Sequence, residues 1–315
     1  MKCPVCDNAK GFNLEFEAYD DRYGYPGRFP LYRCVACGHV FLSASFSAEQ
    51  LSTLYSEYYP RSSFRLEDYQ PHRERSGFLS WLDGARASAF RWVPRNVRVL
   101  DIGCGFGETL GYHQARGCEV YGVEADGNIR RVADRYGYKV HVGLFNPNNY
   151  EPSSFDYVTM DQVMEHVQNP VEVLEGVSKV LKPGGMAILS VPNASGWGAQ
   201  IFGRRWINWH APYHMQFYST RSMQNALEKV GLVLERTNTV TPSSWLNYQW
   251  LHLLTCPSEG VLSKFWEQKG KYSVAQKVAI RLLSLIHRSK LNHLVTRAFD
   301  AIDLGDSRLY FLRKP

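Results

Sequence analysis

Three glycines in the stretch Val99-Leu-Asp-Ile-Gly-Cys-Gly-Phe-Gly107 constrain this chain more than any other feature. An apolar run that breaks into Gly103, Gly105 and Gly107 asks for a tight turn from a strand into a helix, with bare backbone able to lie against a ligand. The same rhythm then repeats: VRVLDIG, TLGYHQARG, EVYGVEA, NIRRVADRYG, YKVHV, FDYVTM, a helical segment over 170–182 and MAILSVP. Short apolar strands alternating with amphipathic segments need crossovers on both faces of a parallel sheet. The pattern predicts an α/β fold, a doubly wound and mostly parallel sheet. A helix over 220–230 ended by Gly231, a strand over 232–238 and a closing strand RLYFL bring the count to seven strands.

At 315 residues the chain has room for one large core plus appendages. With 44% hydrophobic and 21% charged residues it is a folding composition, not a disordered one. No segment approaches an uncharged membrane span, and MKCPVCDNAK lacks the apolar centre of a signal peptide, so a cytoplasmic protein is expected. The divisions anticipated are a zinc ribbon over 1–42, a helical connector over 43–96, a ligand-binding core over 97–240 with a lid over 195–219, and a helical insertion with the closing strand over 241–315. In the connector, Leu51, Leu54, Tyr55 and Tyr58, then Phe78, Leu79 and Leu82, recur at helical spacing between breaks at Pro60 and Pro71.

Four of the seven cysteines are paired by spacing: Cys3 with Cys6, and Cys34 with Cys37, the second pair followed by Gly38. Two such knuckles can set four thiolates on one tetrahedral ion, and zinc is the ordinary occupant. Four protein ligands leave no open position, so the site is read as a separate structural module, not a catalytic one.

The glycine pattern also says what the ligand is not. A dinucleotide loop reads GxGxxG; counted from Gly103 the third glycine falls on Glu108, and counted from Gly105 it falls on Leu110. Glu108 would also repel a pyrophosphate. Glu124, seventeen residues beyond Gly107 at the end of the next strand, suits the two hydroxyls of a ribose. A nucleoside without phosphates at the glycines satisfies both features.

VLDIGCGFG, YGVEAD, SFDYVTMDQVMEHVQNP and VLKPGGMAILSVP, in that order, resemble a class I S-adenosylmethionine-dependent methyltransferase. The resemblance covers 97–240 and implies that S-adenosylmethionine is the cofactor. On it, Asp101, Gly103, Cys104, Gly105 and Gly107 would contact the methionine part, Glu124 and Ala125 the ribose, and Asp161 and Gln162 the region of the methyl group. Many relatives carry an Asp after the third strand for the adenine amine; HVGLFNPNN has none, which leaves backbone near Leu144 and Phe145. His166, in MEHV, stands where similar enzymes acting on quinones and phenols place a histidine near the donor.

The segment GRRWINWHAPYHMQFYST resembles the lid of methyltransferases of surface-polysaccharide and other small-molecule biosynthesis. It supplies His210, Tyr213, His214 and Tyr218 as candidates for touching the acceptor, with His214 foremost. Pro212 is expected to break the helix that would align His210 with His214 on a metal. Residues 261–315 hold 11 Lys and Arg against 4 Asp and Glu. There Val274, Val278, Leu282, Leu285 and Ile286 form a stripe beside Lys277, Arg281 and Arg288. Such a helix either covers the core, the plainer expectation, or lies on an anionic membrane. Trp245, Tyr248, Trp250 and Leu254 are likewise expected to pack in the core, or else to line an apolar acceptor pocket.

The leading functional expectation is methyl transfer to a small-molecule acceptor, at an oxygen of a sugar, lipid-linked sugar, phenol or quinone. An RNA methyltransferase is the alternative, and a non-catalytic binding protein the third. Against nucleic acid, the ribbon balances Lys2, Lys10, Arg22, Arg28 and Arg33 with Asp7, Glu15, Glu17, Asp20 and Asp21.

Overall fold

The computed structural model describes residues 1–44, 46–59, 65–266 and 270–315; Pro60, one of the two anticipated breaks, lies outside them. The chain opens with β1 (Phe12–Tyr19), β2 (Arg28–Cys34) and β3 (Val40–Leu42), followed by α1 (Ala48–Thr53) and α2 (Gly77–Asp83). The central region runs β4 (Arg98–Ile102), α3 (Glu108–Gln114), β5 (Glu119–Glu124), α4 (Ile129–Tyr136), β6 (Lys139–Val142), β7 (Phe155–Asp161), α5 (Pro170–Val180) and β8 (Leu181–Pro192). The lid contributes α6 (Trp197–Phe202) and β9 (Gln216–Phe217). Then come α7 (Thr220–Val230), β10 (Val233–Thr239), α8 (Ser243–Thr255), α9 (Val274–Arg288), α10 (Leu291–Ala301) and β11 (Ser307–Arg313).

The anticipated seven-stranded sheet is present, in the order β10-β11-β8-β7-β4-β5-β6. β11 runs antiparallel to both neighbours, and the pairs β8-β7, β7-β4, β4-β5 and β5-β6 are parallel. The strands are apolar through their length because helices cover both faces. Leu100, Val158, Ala187 and Leu189 are fully buried among the side chains of α5 and α7, while Val99, Ile188 and Leu309 belong to a second cluster on the other face. Local chemistry sets the helix ends: Pro170 starts α5, Ser219 and Ser222 cap α7 reciprocally, and Gly231 stops it at a φ of 67°.

The ribbon is not a separate module. β1, β2 and β3 form a second sheet whose fourth strand is β9 of the lid, Val40 opposite Phe217 and Phe41 opposite Gln216. Phe16, Leu31 and Val40 of the ribbon share one core with Trp206, Trp209 and Phe217 of the lid. Burying large side chains like these contributes about 1.5–3 kcal/mol each. His39, from CVACGH, is fully buried and binds Gln216 Oε1 at 2.8 Å and Ser222 Oγ at 3.4 Å, clamping ribbon, lid and α7 together.

The tail departs from the plainer expectation. α9 turns its apolar stripe outward: Val274, Val278, Leu282 and Leu285 are all at least half exposed. The residues it packs inward are the smaller or more polar ones, Gln276, Ala279, Ser284 and His287, with Ile280 and Leu283. An amphipathic period fixes which residues share a face but not whether that face meets protein. In α8, Trp245, Trp250 and Leu254 are half-buried, Tyr248 is exposed, and Trp250 meets Phe202 of the lid edge to face at 5.3 Å.

Candidate active site

The glycine loop leaves β4 at the carboxyl edge of the sheet. Gly103, Gly105 and Gly107 adopt φ of 78°, 57° and 85°, the left-handed region that a side chain resists. At Gly103 there is a further reason: a Cβ would stand 2.4 Å from Val163 Cγ2. Gly103 and Gly105 are nonetheless exposed, so their backbone is an accessible platform, whereas Cys104 turns inward and is buried.

Two carboxylates hold that platform. Glu124 accepts from the Gly105 amide at 2.9 Å and from the Asp126 amide at 2.8 Å, which fixes it beside the loop while leaving it half-buried. Ala125 follows, exposed. Asp101 lies beneath, bonded to Thr159 Oγ1 at 2.6 Å and to Thr109 Oγ1; burial pushes its carboxyl up to about 6 although both hydroxyls favour the anion. Asp101 therefore supports the loop from inside. After β6, Gly143 is pinned to the Glu124 carbonyl at 2.8 Å, and Leu144 projects into solvent at 82% exposure. Phe145 packs beside Tyr150.

The residues at the end of β7 make contacts of their own. Asp161 turns its carboxylate to the connector, accepting from the Ala89 amide at 2.6 Å, and burial pushes its carboxyl up to about 7. It also accepts from the Phe90 amide at 3.5 Å, holding this stretch of the connector at the end of β7. Gln162, at a φ of 54°, donates to Ser190 Oγ at 3.1 Å.

Beyond it, histidines and tyrosines gather. His166 and His214 meet edge to face at 4.7 Å between ring centroids, and His210 and His214 at 4.8 Å. Pro212 does not keep the last two apart: the chain turns so that the His214 amide donates to the His210 carbonyl at 3.0 Å. His214 Nδ1 donates to the Asn208 carbonyl at 2.8 Å, and Tyr55 reaches His166 Nδ1 at 3.4 Å. Burial drives all three imidazoles below their ordinary range, His166 to about 4, so they are neutral at pH 7. Tyr213 is fully buried with its hydroxyl toward Asp20 at 3.5 Å, and Tyr218 donates to the Met164 carbonyl at 2.9 Å. Both hydroxyls are engaged in holding the lid.

Three residues that motif reasoning passed over complete the cluster. Glu165 is fully buried with both carboxylate oxygens unpartnered, and burial pushes its carboxyl up to about 8, so it is neutral at pH 7. One ligand atom each from Glu165, His166 and His214 lies within 4.8 Å of the others, a spacing that could hold a metal ion. Tyr59 packs beside the histidines, its ring centroid 6.2 Å from that of His210 and 5.2 Å from that of Tyr213. Arg22 is 8% exposed, stands 4.3 Å over the Trp266 ring and donates to the Ile207 carbonyl. Its Nε has no partner and, among the described residues, no carboxylate pairs with it. Only the EH dipeptide of MEHV hinted at Glu165; nothing local marks Arg22, which sits in a ribbon turn rich in acids.

At the ribbon's end the four thiols converge. Cys3 and Cys37 sulfurs are 3.7 Å apart, Cys6 and Cys34 sulfurs 3.6 Å, and all four lie within 4.8 Å of one another. A tetrahedron with ~2.3 Å metal–sulfur bonds has edges of about 3.8 Å, so the donor set fits zinc. Asn8 Nδ2 points at Cys34 Sγ at 3.6 Å, an outer donor of the kind that steadies a thiolate. The other ribbon cations are mostly occupied: Lys2 pairs with Asp7, Arg28 with Glu17 and Glu259, and Arg33 with Glu15.

Comparison with known proteins bears on this geometry. Residues 65–237 match a family described as a methyltransferase domain. The ubiquinone biosynthesis O-methyltransferase of Cupriavidus pinatubonensis is 32% identical over 147 residues, 42% of this chain and 53% of that protein. The enzyme of the same name from Xanthomonas axonopodis pv. citri is 28% identical over 171 residues, 50% of this chain and 71% of that protein. The chain thus spans about half the length of the first of these curated relatives. Among solved structures, phosphoethanolamine N-methyltransferase 2 of Haemonchus contortus, in complex with S-adenosyl-L-methionine, is similar at a TM-score of 0.50. That match has 19% identity and covers 88% of this chain and 62% of the other, a likeness of fold.

Proposed function

Since this chain belongs to the methyltransferase-domain family, we propose that it transfers the methyl group of S-adenosylmethionine to an oxygen of a small-molecule acceptor. The observation that carries the reading is the exposed backbone of Gly103 and Gly105 with the Glu124 carboxylate locked beside it. That arrangement offers a nucleoside its ribose grip and offers the methionine part a surface free of side chains. S-adenosylmethionine brings its own activated methyl group, so the protein's task is alignment and proton removal.

His166 is the proposed base. It is neutral at pH 7 and can accept a hydrogen bond from an acceptor hydroxyl. It would take the proton of the acceptor hydroxyl, and a Glu165 carboxyl oxygen lies within 4.8 Å of one of its ring nitrogens. The acceptor class we favour is phenolic or quinol-like, because the rings of Tyr23, Tyr55, Tyr59 and Tyr213 cluster beside the histidines. Arg22, without an acidic partner among the described residues, would pair with an acidic group on such a molecule. In the ribbon, Cys3, Cys6, Cys34 and Cys37 would hold a structural zinc ion, and cytoplasmic residence remains part of this proposal. No specific observation favours the RNA alternative, since Arg28 and Arg33 are committed to carboxylates.

The test is transfer of a labelled methyl group from S-adenosylmethionine to a panel of catechols and hydroquinones. Product formation by the wild type and its loss in His166→Ala are expected. Methylation of RNA in place of every phenol would replace the proposal with its alternative.

A further inference from the structure

We infer that the outward face of α9, α10 and α2 is a docking surface for an anionic lipid bilayer. The inference concerns where the protein sits, and it stands on observations separate from the methyl-transfer reading.

The face is apolar beyond what a water-exposed surface needs. Along α9, Val274, Val278, Leu282 and Leu285 are 79%, 50%, 57% and 63% exposed. From α2, Phe78, Leu79 and Trp81 are 67%, 64% and 54% exposed, and from α10 Leu291 and Leu294 are 54% and 53% exposed. The three helices pack together: the His287 ring of α9 lies 4.6 Å from the His293 ring of α10. Lys290, at the start of α10, pairs with Asp83 at the end of α2 at 2.9 Å, and Arg297 Nη1 of α10 donates to the Trp81 carbonyl at 3.0 Å. Exposed apolar patches of this kind mark a binding partner.

Charge identifies the partner. At 100° per residue, Lys277, Arg281 and Arg288 fall together along one edge of the α9 stripe, all exposed, and α9 contains no acidic residue. Apolar side chains flanked by cations are the pattern of a helix lying in a membrane interface, the stripe among acyl chains and the cations at anionic headgroups. Phe78 and Trp81 supply the aromatic side chains favoured at that depth. A second copy of the same face would bring further cations and no α9 acid to meet them. No described helix is long and apolar enough to cross the bilayer, so the protein would lie on it. Asn193, just beyond the carboxyl end of β8, donates to the Gly305 carbonyl that follows α10 at 2.7 Å. The chain leaving α10 is therefore fastened at the sheet edge that carries the glycine loop.

Co-sedimentation with vesicles tests this on the full chain. Vesicles of phosphatidylcholine containing about a third phosphatidylglycerol should bind the protein, pure phosphatidylcholine far more weakly, and added salt should reverse binding. The triple variant Lys277→Glu, Arg281→Glu and Arg288→Glu should bind about 100-fold more weakly, roughly fivefold per cation before any added repulsion. Leu282→Ser with Leu285→Ser should also lose binding; these side chains face water in the free protein, so the fold survives the change. Sedimentation velocity decides the competing occupant. Indifference to phosphatidylglycerol, or a dimer dissolved by the two leucine changes, overturns the inference. S-adenosylhomocysteine affinity, measured in parallel, reports separately on the methyl-transfer reading.

Discussion

Val40 of the ribbon stands opposite Phe217 of the lid in antiparallel register. One strand pair thus joins the cysteine cluster to the lid that carries His210 and His214, and buried His39 reinforces it through Gln216. Elemental analysis is expected to find about one zinc per chain. Stripping it with a chelator, or Cys34→Ser, should expose the lid over 203–217 to limited proteolysis as well as unfolding the ribbon. Metal-free protein with an equally resistant lid would contradict the coupling.

His166 should act on the acceptor and not on the donor. His166→Ala is expected to lower kcat about 10²- to 10⁴-fold, the ordinary yield of general base catalysis. Its affinity for S-adenosylhomocysteine should hold within about twofold. Loss of donor affinity with kcat preserved would remove His166 from the proposed role.

The buried carboxyl of Glu165 gives stability a pH signature. Its folded pKa of about 8 lies above the unfolded value, so the folded state binds more protons between roughly pH 4.5 and 8, and stability falls as pH rises through that window. His166 runs the other way: lowered to about 4, it makes stability fall as pH drops from about 6.5 towards 4. Glu165→Gln should therefore raise Tm at pH 8 by about 2–4 °C for each ~1 kcal/mol of relief, and change it little at pH 5. Calorimetry at the two pH values checks this; an equal shift at both would mean that the carboxyl is ionised or solvated in the fold.

Arg22 is buried with an unpartnered Nε. Isothermal titration with 3,4-dihydroxybenzoate and with catechol, in the presence of S-adenosylhomocysteine, should show the carboxylate-bearing ligand bound at least about tenfold more tightly, as a charged hydrogen bond requires. Arg22→Gln should erase the difference. Equal affinities in the wild type would show that the guanidinium serves only to pack ribbon against lid.

Much of this was legible in the sequence because the signals are local. Parallel strands read as apolar runs, glycines mark their own turn, and cysteine spacing is a geometric statement. The rest depends on contacts between distant residues. β9 is two residues long and has no strand pattern; it is a strand because β3 offers it an edge. The motif marks Asp161 but not its bond to the amide of Ala89, 72 residues earlier. The α9 stripe was visible as a period, but its exposure depends on what α8 and α10 leave uncovered. Glu165 and Arg22 became noticeable only through burial, which motif spacing does not record.

The central claim is that an S-adenosyl nucleoside lies along Gly103–Gly107 with its ribose on Glu124. Titration calorimetry with S-adenosylhomocysteine tests it directly. The wild type should bind one equivalent, and Glu124→Ala should bind about 10- to 100-fold more weakly, since a charged acceptor for ribose hydroxyls is gone. No binding by the wild type, or equal affinity in the two proteins, would contradict it.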